Sequence, residues 1–252
     1  MTSTATYPAH SFRPEIPSHR SPALMKFAGR LTGGLYLLLA LIGGSAYFLV
    51  SETLIVHGDA ATTTHNIIAN AGLFRAGAAA WLATALIDIV IAYLLYWIFS
   101  PATPRLALMS MVFRLVYVAV HAAALTNLLD IIMLIDQGAA SGAPDTVLRL
   151  AEAHLNGFMV SLLFFGVHLM ILAVMICRTG ALPKLFAVLL MLAGLAYAAD
   201  TFALALLPTA SAASGYIDHA VTILATAGEI GFLLWLLVAG FRTNDIQEEV
   251  TS

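Results

Sequence analysis

The stretch LFRAGAAAWLATALIDIVIAYLLYWIF (residues 73–99), followed by SPATPR (100–105) and LALMSMVFRLVYVAVHAAALTNLLDIIMLI (106–135), decides the fold. Each apolar run exceeds the roughly 20 residues an α-helix needs to cross a bilayer. Pro101 and Pro104 break the helix between them and leave room only for a tight turn. The pair reads as an antiparallel helical hairpin in a membrane. Working outward, the same criterion selects residues 27–50 before it and 155–177, 183–207 and 219–241 after it. Gly138 to Pro144, Gly180 with Pro183, and Pro208 with Gly215 supply the remaining breaks. Pro183 suits a first helical turn, where a missing N–H costs nothing. The expectation is all-α: a polytopic six-transmembrane-helix bundle over residues 27–241 with short loops.

Composition agrees. Of 252 residues, 61% are hydrophobic and 10% charged, against roughly 25% charged in an average soluble domain. With a mean hydropathy of +0.92, a soluble chain of this size has too little polar surface to cover its apolar content. A net charge of −3 offers no basic patch for nucleic acid. Cys177, the single cysteine, excludes an internal disulfide framework and multi-cysteine zinc or iron–sulfur sites. Residues 1–26, with Pro8, Pro14, Pro17 and Pro22 among Ser and Thr, read as a disordered tail, as do 242–252. The first apolar run is too long for a signal peptide, and the prolines spoil the amphipathic helix of a transit peptide. Arg13, Arg20, Lys26, Arg30, Arg105, Arg178, Lys184 and Arg242 fall on one side of this topology. The other carries Arg149 with Glu52, Asp59, Asp136, Asp145 and Asp218. The positive-inside rule then puts both termini in the cytoplasm.

Ionisable groups at bilayer depth are costly, so each is a functional hypothesis. The second segment carries Arg75 and Asp88. The third has Arg114, His121, Asn127 and Asp130, the fourth His154, Asn156, Ser161 and His168, the fifth Asp200 and the sixth Glu229. At 1.5 Å per residue, Asp88 and Arg114 lie about 16 and 12 Å from the inner ends of their helices, which predicts a buried ion pair. Such a pair serves chemistry or merely fixes helix register. Arg75 is expected to meet Asp130 or Asn127 near the outer surface. His121 and His168, each about 20 Å from the outer end of its predicted segment, are a weak candidate pair for axial haem b ligation. The alternative is two histidines bonded to carbonyls or to each other, and no cofactor is otherwise expected. His57, Asp59, His65, Glu152, His154, Asp218 and His219 gather outside, but without a short metal-ligand spacing they read as loop residues and helix caps. Glu229 stands alone in mid-span; a lone buried carboxylate is protonated or paired, and either state suits a proton carrier or a general acid. Gly33, Gly34, Gly43 and Gly44 read as close-packing positions. Phe158, Phe164 and Phe165 read as packing or lipid-facing residues.

Several stretches then stand together: LIVHGDAATTTHN (54–66), LFR (73–75), FR (113–114), HLNGF (154–158), LFFGVH (163–168), RTGALP (178–183), LAYAAD (195–200) and GE (228–229). In this order they resemble the uncharacterised bacterial membrane family called domain of unknown function 4386, over roughly residues 27–241. The resemblance implies an all-helical protein of the bacterial cytoplasmic (inner) membrane and brings no activity with it. It puts emphasis on Asp59, Arg75, Asp88, Arg114, His154, His168, Asp200 and Glu229. Two positions depart from the family pattern: Ala181 stands where Tyr is favoured, and Leu155 where Gly is.

Three functional readings follow. In the first, a polar pocket between the second, third, fourth and sixth helices binds or converts a lipid-soluble small molecule. Glu229 and His168 are then acid and base, Asp88 orients, and Arg114 stabilises an anionic group. The second is a proton-coupled carrier, acting as a homodimer, with Glu229, Asp88 and His121 on the proton path. The third is a non-catalytic accessory or sensor protein. Partners are membrane lipids and, in the first reading, the small molecule. Phe74-Arg75 and Phe113-Arg114 recur on neighbouring helices, too short a match to claim an inverted-repeat transporter.

Overall fold

The computed structural model describes residues 21–206 and 212–240; within 212–225, only Ile223 is described beyond the backbone. Eight α-helices carry the described chain, with no strand among the described residues: α1 (Pro22–Ala46), α2 (Glu52–Leu54), α3 (Ala60–Ala69), α4 (Ala71–Phe99), α5 (Pro104–Asp136), α6 (Pro144–Thr179), α7 (Lys184–Leu206) and α8 (Ala212–Val238). A π-helical turn, Tyr47–Ser51, joins α1 to α2, so that Pro22–Leu54 is one continuous apolar rod. Five helical stretches are long and apolar enough to cross a membrane: Pro22–Leu54 and helices α4, α5, α6 and α7. The outside of the bundle carries large exposed apolar chains such as Leu41, Phe48, Leu86 and Leu185, as a lipid-facing surface does and a water-facing one rarely does.

The sequence-based boundaries need three corrections. Residues 22–26 are helical rather than part of a disordered tail, because Ser21 caps α1, its Oγ accepting from Leu24 N at 3.3 Å, and Pro22 sits where its missing N–H is harmless. Residues 1–20 and 241–252 lie outside the described residues. Helix α6 begins at Pro144, not 155, because Pro144 and Asp145 form a normal first turn under residues too polar for a hydropathy criterion. Helix α8 likewise begins at Ala212 rather than 219.

Helix α3 was not anticipated. Asp59 caps it, Oδ1 accepting from Thr62 N at 2.9 Å and Oδ2 from Thr62 Oγ1 at 2.7 Å. The preceding loop is tied back to it by Thr63, whose hydroxyl accepts from Val56 N and donates to Val56 O. The short helix packs against α6.

Consecutive long helices pack as neighbours from α4 to α8, and α1 closes the ring by packing on both α4 and α8. Glycine makes two of these contacts possible: a Cβ on Gly33 would stand 2.8 Å from Leu237 N of α8, and one on Gly166 of α6 would stand 2.6 Å from Gly194 O of α7. Two hydrophobic cores result. One gathers Tyr36, Ile91, Tyr117, Phe165 and Phe232; the other gathers Val50, Ile67, Phe74, Trp81, Leu125 and Ala151 around α3's end of the bundle.

Candidate functional site

Arg114 is wholly buried inside the first core. Its Nε donates to Asp88 Oδ1 at 3.0 Å and its Nη2 donates to the same oxygen, forming the ion pair expected from matched depth. Nη1 donates to the Tyr36 hydroxyl and, at 3.1 Å, to His168 Nε2. Because arginine only donates, Nε2 is the accepting nitrogen and the His168 proton resides on Nδ1. Nδ1 in turn lies 3.0 Å from the Ser110 carbonyl oxygen and 2.8 Å from its hydroxyl. The guanidinium also sits 4.8 Å from the Tyr36 ring centre and 5.2 Å from that of Phe165, within range of cation–π attraction. One side chain thus ties α1, α4, α5 and α6 together, and its charge is matched by Asp88.

A cavity of about 280 Å³ opens beside this junction. All six long helical stretches contribute to its wall: Tyr36, Gly43 and Gly44 from α1, Asp88 from α4, Arg114 and Tyr117 from α5, Phe158 and Phe165 from α6, Tyr197 from α7 and Glu229 from α8. Tyr47 and Phe48 line its edge and are exposed on the outside of the bundle. Glu229 is half-buried and accepts a hydrogen bond from Tyr197 Oη at 2.7 Å. The cavity therefore holds one neutralised ion pair and one carboxyl–phenol pair within mainly aromatic and small walls. Glycine does different work along α1: Gly33 packs, whereas Gly43 and Gly44 line the cavity, with nothing within 4 Å of a Cβ placed on Gly44.

The structure brings Asp88, Arg114 and Glu229 to one cavity, but not His168, which lies behind Arg114 with both ring nitrogens engaged. His121 is not beside His168. Its ring neighbour is His154, with centroids 6.1 Å apart, flanked by Trp81 and Phe158. The physical reason is the true start of α6: from Pro144, His154 is about 15 Å and His168 about 36 Å along the helix. Measured from Asp136, His121 is about 22 Å and Arg114 about 33 Å along α5, so Arg114 and His168 are nearly level. His154 is consequently a core residue rather than part of the outer group. Arg75 meets Asp136, not Asp130 or Asn127; Asp130 is exposed and Asn127 donates to Ala124 O of its own helix at 2.9 Å. His57 and Glu152 approach to 3.7 Å, while the side chains of Asp218 and His219 lie outside the described residues. Asp200 lies on α7, one turn beyond Tyr197. Among the described residues no three His, Cys, Asp or Glu side chains form a metal-binding group.

Tyr36, Ser110 and Tyr197 escaped the sequence reading because each is uncharged and common in apolar helices. A signal was available for two of them. Ser110 is one turn before Arg114 on the same face, and Tyr36 is seven residues before Gly43 on one face of α1.

The chain belongs to the family described as domain of unknown function (DUF4386), which it matches over residues 31–240. It is also similar to an uncharacterized protein of Archaeoglobus fulgidus, at 23% identity over 161 residues, covering 64% of this chain and 82% of that relative. No solved structure matches it.

Proposed function

We propose that this DUF4386 member is a six-span protein of the bacterial cytoplasmic membrane that binds a lipid-soluble small molecule with a polar head in the Arg114 cavity. The observation that carries this reading is the cavity itself. It sets Asp88, Arg114, Tyr197 and Glu229 against aromatic walls and reaches the lipid-facing surface at Tyr47 and Phe48. A concave apolar pocket with a few convergent polar groups is the usual form of a small-molecule site. Helix α8, 27 residues long, supplies the sixth crossing, and with an even number of crossings the basic residues near both ends share the cytoplasmic side. Glu229 and the Tyr197 hydroxyl contact the ligand's polar head and are placed to exchange a proton with it. Asp88 and Arg114 form a neutral polar floor. His168, Ser110 and Tyr36 are positioning residues that hold the guanidinium.

The carrier reading draws its support from two carboxyl side chains, Asp88 and Glu229, on one cavity. His121 is not on that cavity's wall and drops out of such a proton path.

Native mass spectrometry from mild detergent, comparing the wild type with Gly44→Phe, tests the binding reading. Gly44 lines the cavity and a Cβ there meets nothing within 4 Å, so the substitution adds a ring to the wall without replacing any charged group. The wild type is expected to carry a stoichiometric non-phospholipid mass that the variant loses while keeping its unfolding profile. A bare wild type, or a mass indifferent to Gly44→Phe, overturns it and leaves the carrier and accessory readings. Uncoupler-sensitive uptake in proteoliposomes then separates those two.

A further inference from the structure

His121 of α5 and His154 of α6 are 0% and 1% exposed; neither His121 ring nitrogen has a hydrogen-bond partner, and the only backbone group His154 approaches is that of Ala124, which leaves at least one of its nitrogens open. A buried polar atom left unbonded costs about 1–3 kcal/mol, so two such rings placed together call for an account. They lie at the seam between the two hydrophobic cores, outside the Arg114 cavity and behind Trp81 and Phe158, which line its wall. Their centroids are 6.1 Å apart with the planes inclined by 32°. That separation is close to the span of two imidazoles ligating one ion from opposite sides, roughly two metal–nitrogen bonds of about 2.0 Å plus half a ring at each end. Trp81 makes T-shaped contacts with both, its ring centroid 5.3 Å from that of His121 and 5.9 Å from that of His154.

We propose that His121 and His154 form a two-coordinate site for a monovalent soft cation, Cu(I), with the Trp81 indole as its third neighbour. The chemistry of the wall selects this ion. Zinc and other divalent ions take four or more ligands, and no third His, Cys, Asp or Glu among the described residues joins the pair. A divalent charge against indole, phenol and phenyl rings would also be left uncompensated. Cu(I) is satisfied by two nitrogens, imidazole suits copper, and an indole offers a cation the electron-rich face of its ring. Each neutral ring gives one nitrogen lone pair to the ion; no electron moves and no proton is released. Trp81 borders both sites but neither histidine is on the wall of the Arg114 cavity, so the metal site is tested separately from the small-molecule reading.

The test uses the full chain carrying Cys177→Ser, because the exposed Cys177 thiol would itself take the metal. Titration with Ag(I), the air-stable analogue, is followed by native mass and by thermal unfolding. Anaerobic Cu(I) loading is followed by X-ray absorption. One equivalent is expected, raising the unfolding temperature, with two nitrogen scatterers at about 2 Å. His121→Phe and His154→Phe keep an aromatic ring in place. Each is expected to weaken binding by more than the roughly 100-fold that loss of a supporting contact causes, and the double variant to abolish it. If these variants fail to fold, the absorption spectrum of the Cys177→Ser protein decides: a nitrogen pair supports the site, and a sulfur shell overturns it. Failure to retain one equivalent, or retention by the folded double variant, overturns it as well.

Discussion

Arg114 aims Nε and Nη2 at the same oxygen of Asp88, Oδ1, instead of gripping both carboxylate oxygens in a fork. The third nitrogen, Nη1, points away from the carboxylate, toward Tyr36 and His168. A fork would have given the tightest pair. The observed geometry makes the guanidinium a four-helix junction, with Asp88 and Arg114 both on the cavity wall.

Stability should therefore respond more to breaking this pair than to erasing it. Asp88→Asn or Arg114→Gln leaves one charge buried and is expected to cost about 3–5 kcal/mol. The double replacement Asp88→Leu with Arg114→Met restores an apolar interior and is expected to cost less than either single change. Denaturant unfolding in detergent measures all three. A double variant at the sum of the two single costs would mean that the pair is not coupled. Ligand retention is the separate readout: the double variant should fold and still lose the bound molecule.

Helix packing offers a matched pair of neighbours. Gly33→Ala drives a methyl into the backbone of α8 at Leu237, and Gly34→Ala meets nothing within 4 Å. Overpacking of this kind typically costs about 1–3 kcal/mol, so the first change should destabilise measurably. The second should be neutral or slightly favourable, since alanine suits a helix better than glycine. Equal unfolding midpoints for the two variants would show that α1 does not dock on α8 at this point.

Tyr197 and Glu229 set the cavity's proton-bearing end. Tyr197→Phe removes only the hydroxyl that donates to Glu229 at 2.7 Å, and a hydrogen bond of this kind contributes about 1 kcal/mol. The expectation is a small loss of stability together with a clear loss of ligand affinity. Glu229→Gln, which keeps an oxygen to accept from Tyr197, should be the milder change in stability. Isothermal titration with the molecule recovered from the wild type checks the affinity. An unchanged affinity in Tyr197→Phe would remove this hydroxyl from the binding surface.

The bundle was legible in the sequence wherever depth followed from a well-marked helix end. Pro104 fixes one end of α5 and Phe99 precedes the turn that ends α4, so Asp88 and Arg114 fell at matched depth and do pair. Depth failed in α6, where hydropathy alone set the start. Residues 144–154 carry Asp145, Arg149 and Glu152, which hide about three helical turns from an apolar criterion, although Pro144 followed by Asp145 is a helix-start signal. That displacement moved His154 outward on paper and aligned His168 with the wrong partner. Helix α3 was hidden for a different reason. Its Asp59 cap was visible, but ten residues rich in Thr, with a His and an Asn, offer too little apolar stripe to stand out, and its helicity depends on packing against α6. Tyr197 marks the remaining limit: an uncharged residue in an apolar helix announces a site only when its partner is known.

The Asp59 cap makes a prediction with a definite sign in pH. The Thr62 backbone N–H, and then the Thr62 hydroxyl, hold the Asp59 carboxyl below its ordinary value. A group whose folded pKa is depressed contributes stability that is fully present above its unfolded value, about 3.9. That contribution is lost as pH falls through the lower, folded value. The Asp59 cap's contribution to holding α3 should therefore be constant from pH 5 to 8 and weaken only in more acidic solution. Asp59→Asn retains an acceptor for Thr62 N and should keep most of the cap while abolishing its acid sensitivity, whereas Asp59→Ala should loosen α3 at every pH. Side-chain carboxyl carbon shifts in the detergent-solubilised protein report the Asp59 midpoint directly. Hydrogen exchange at Thr62 and Thr63, compared among the three forms at one pH, reports the cap. A midpoint at or above the ordinary carboxylate value would show that Thr62 does not hold Asp59. The start of α3 would then have to be fixed by the Thr63–Val56 tie alone.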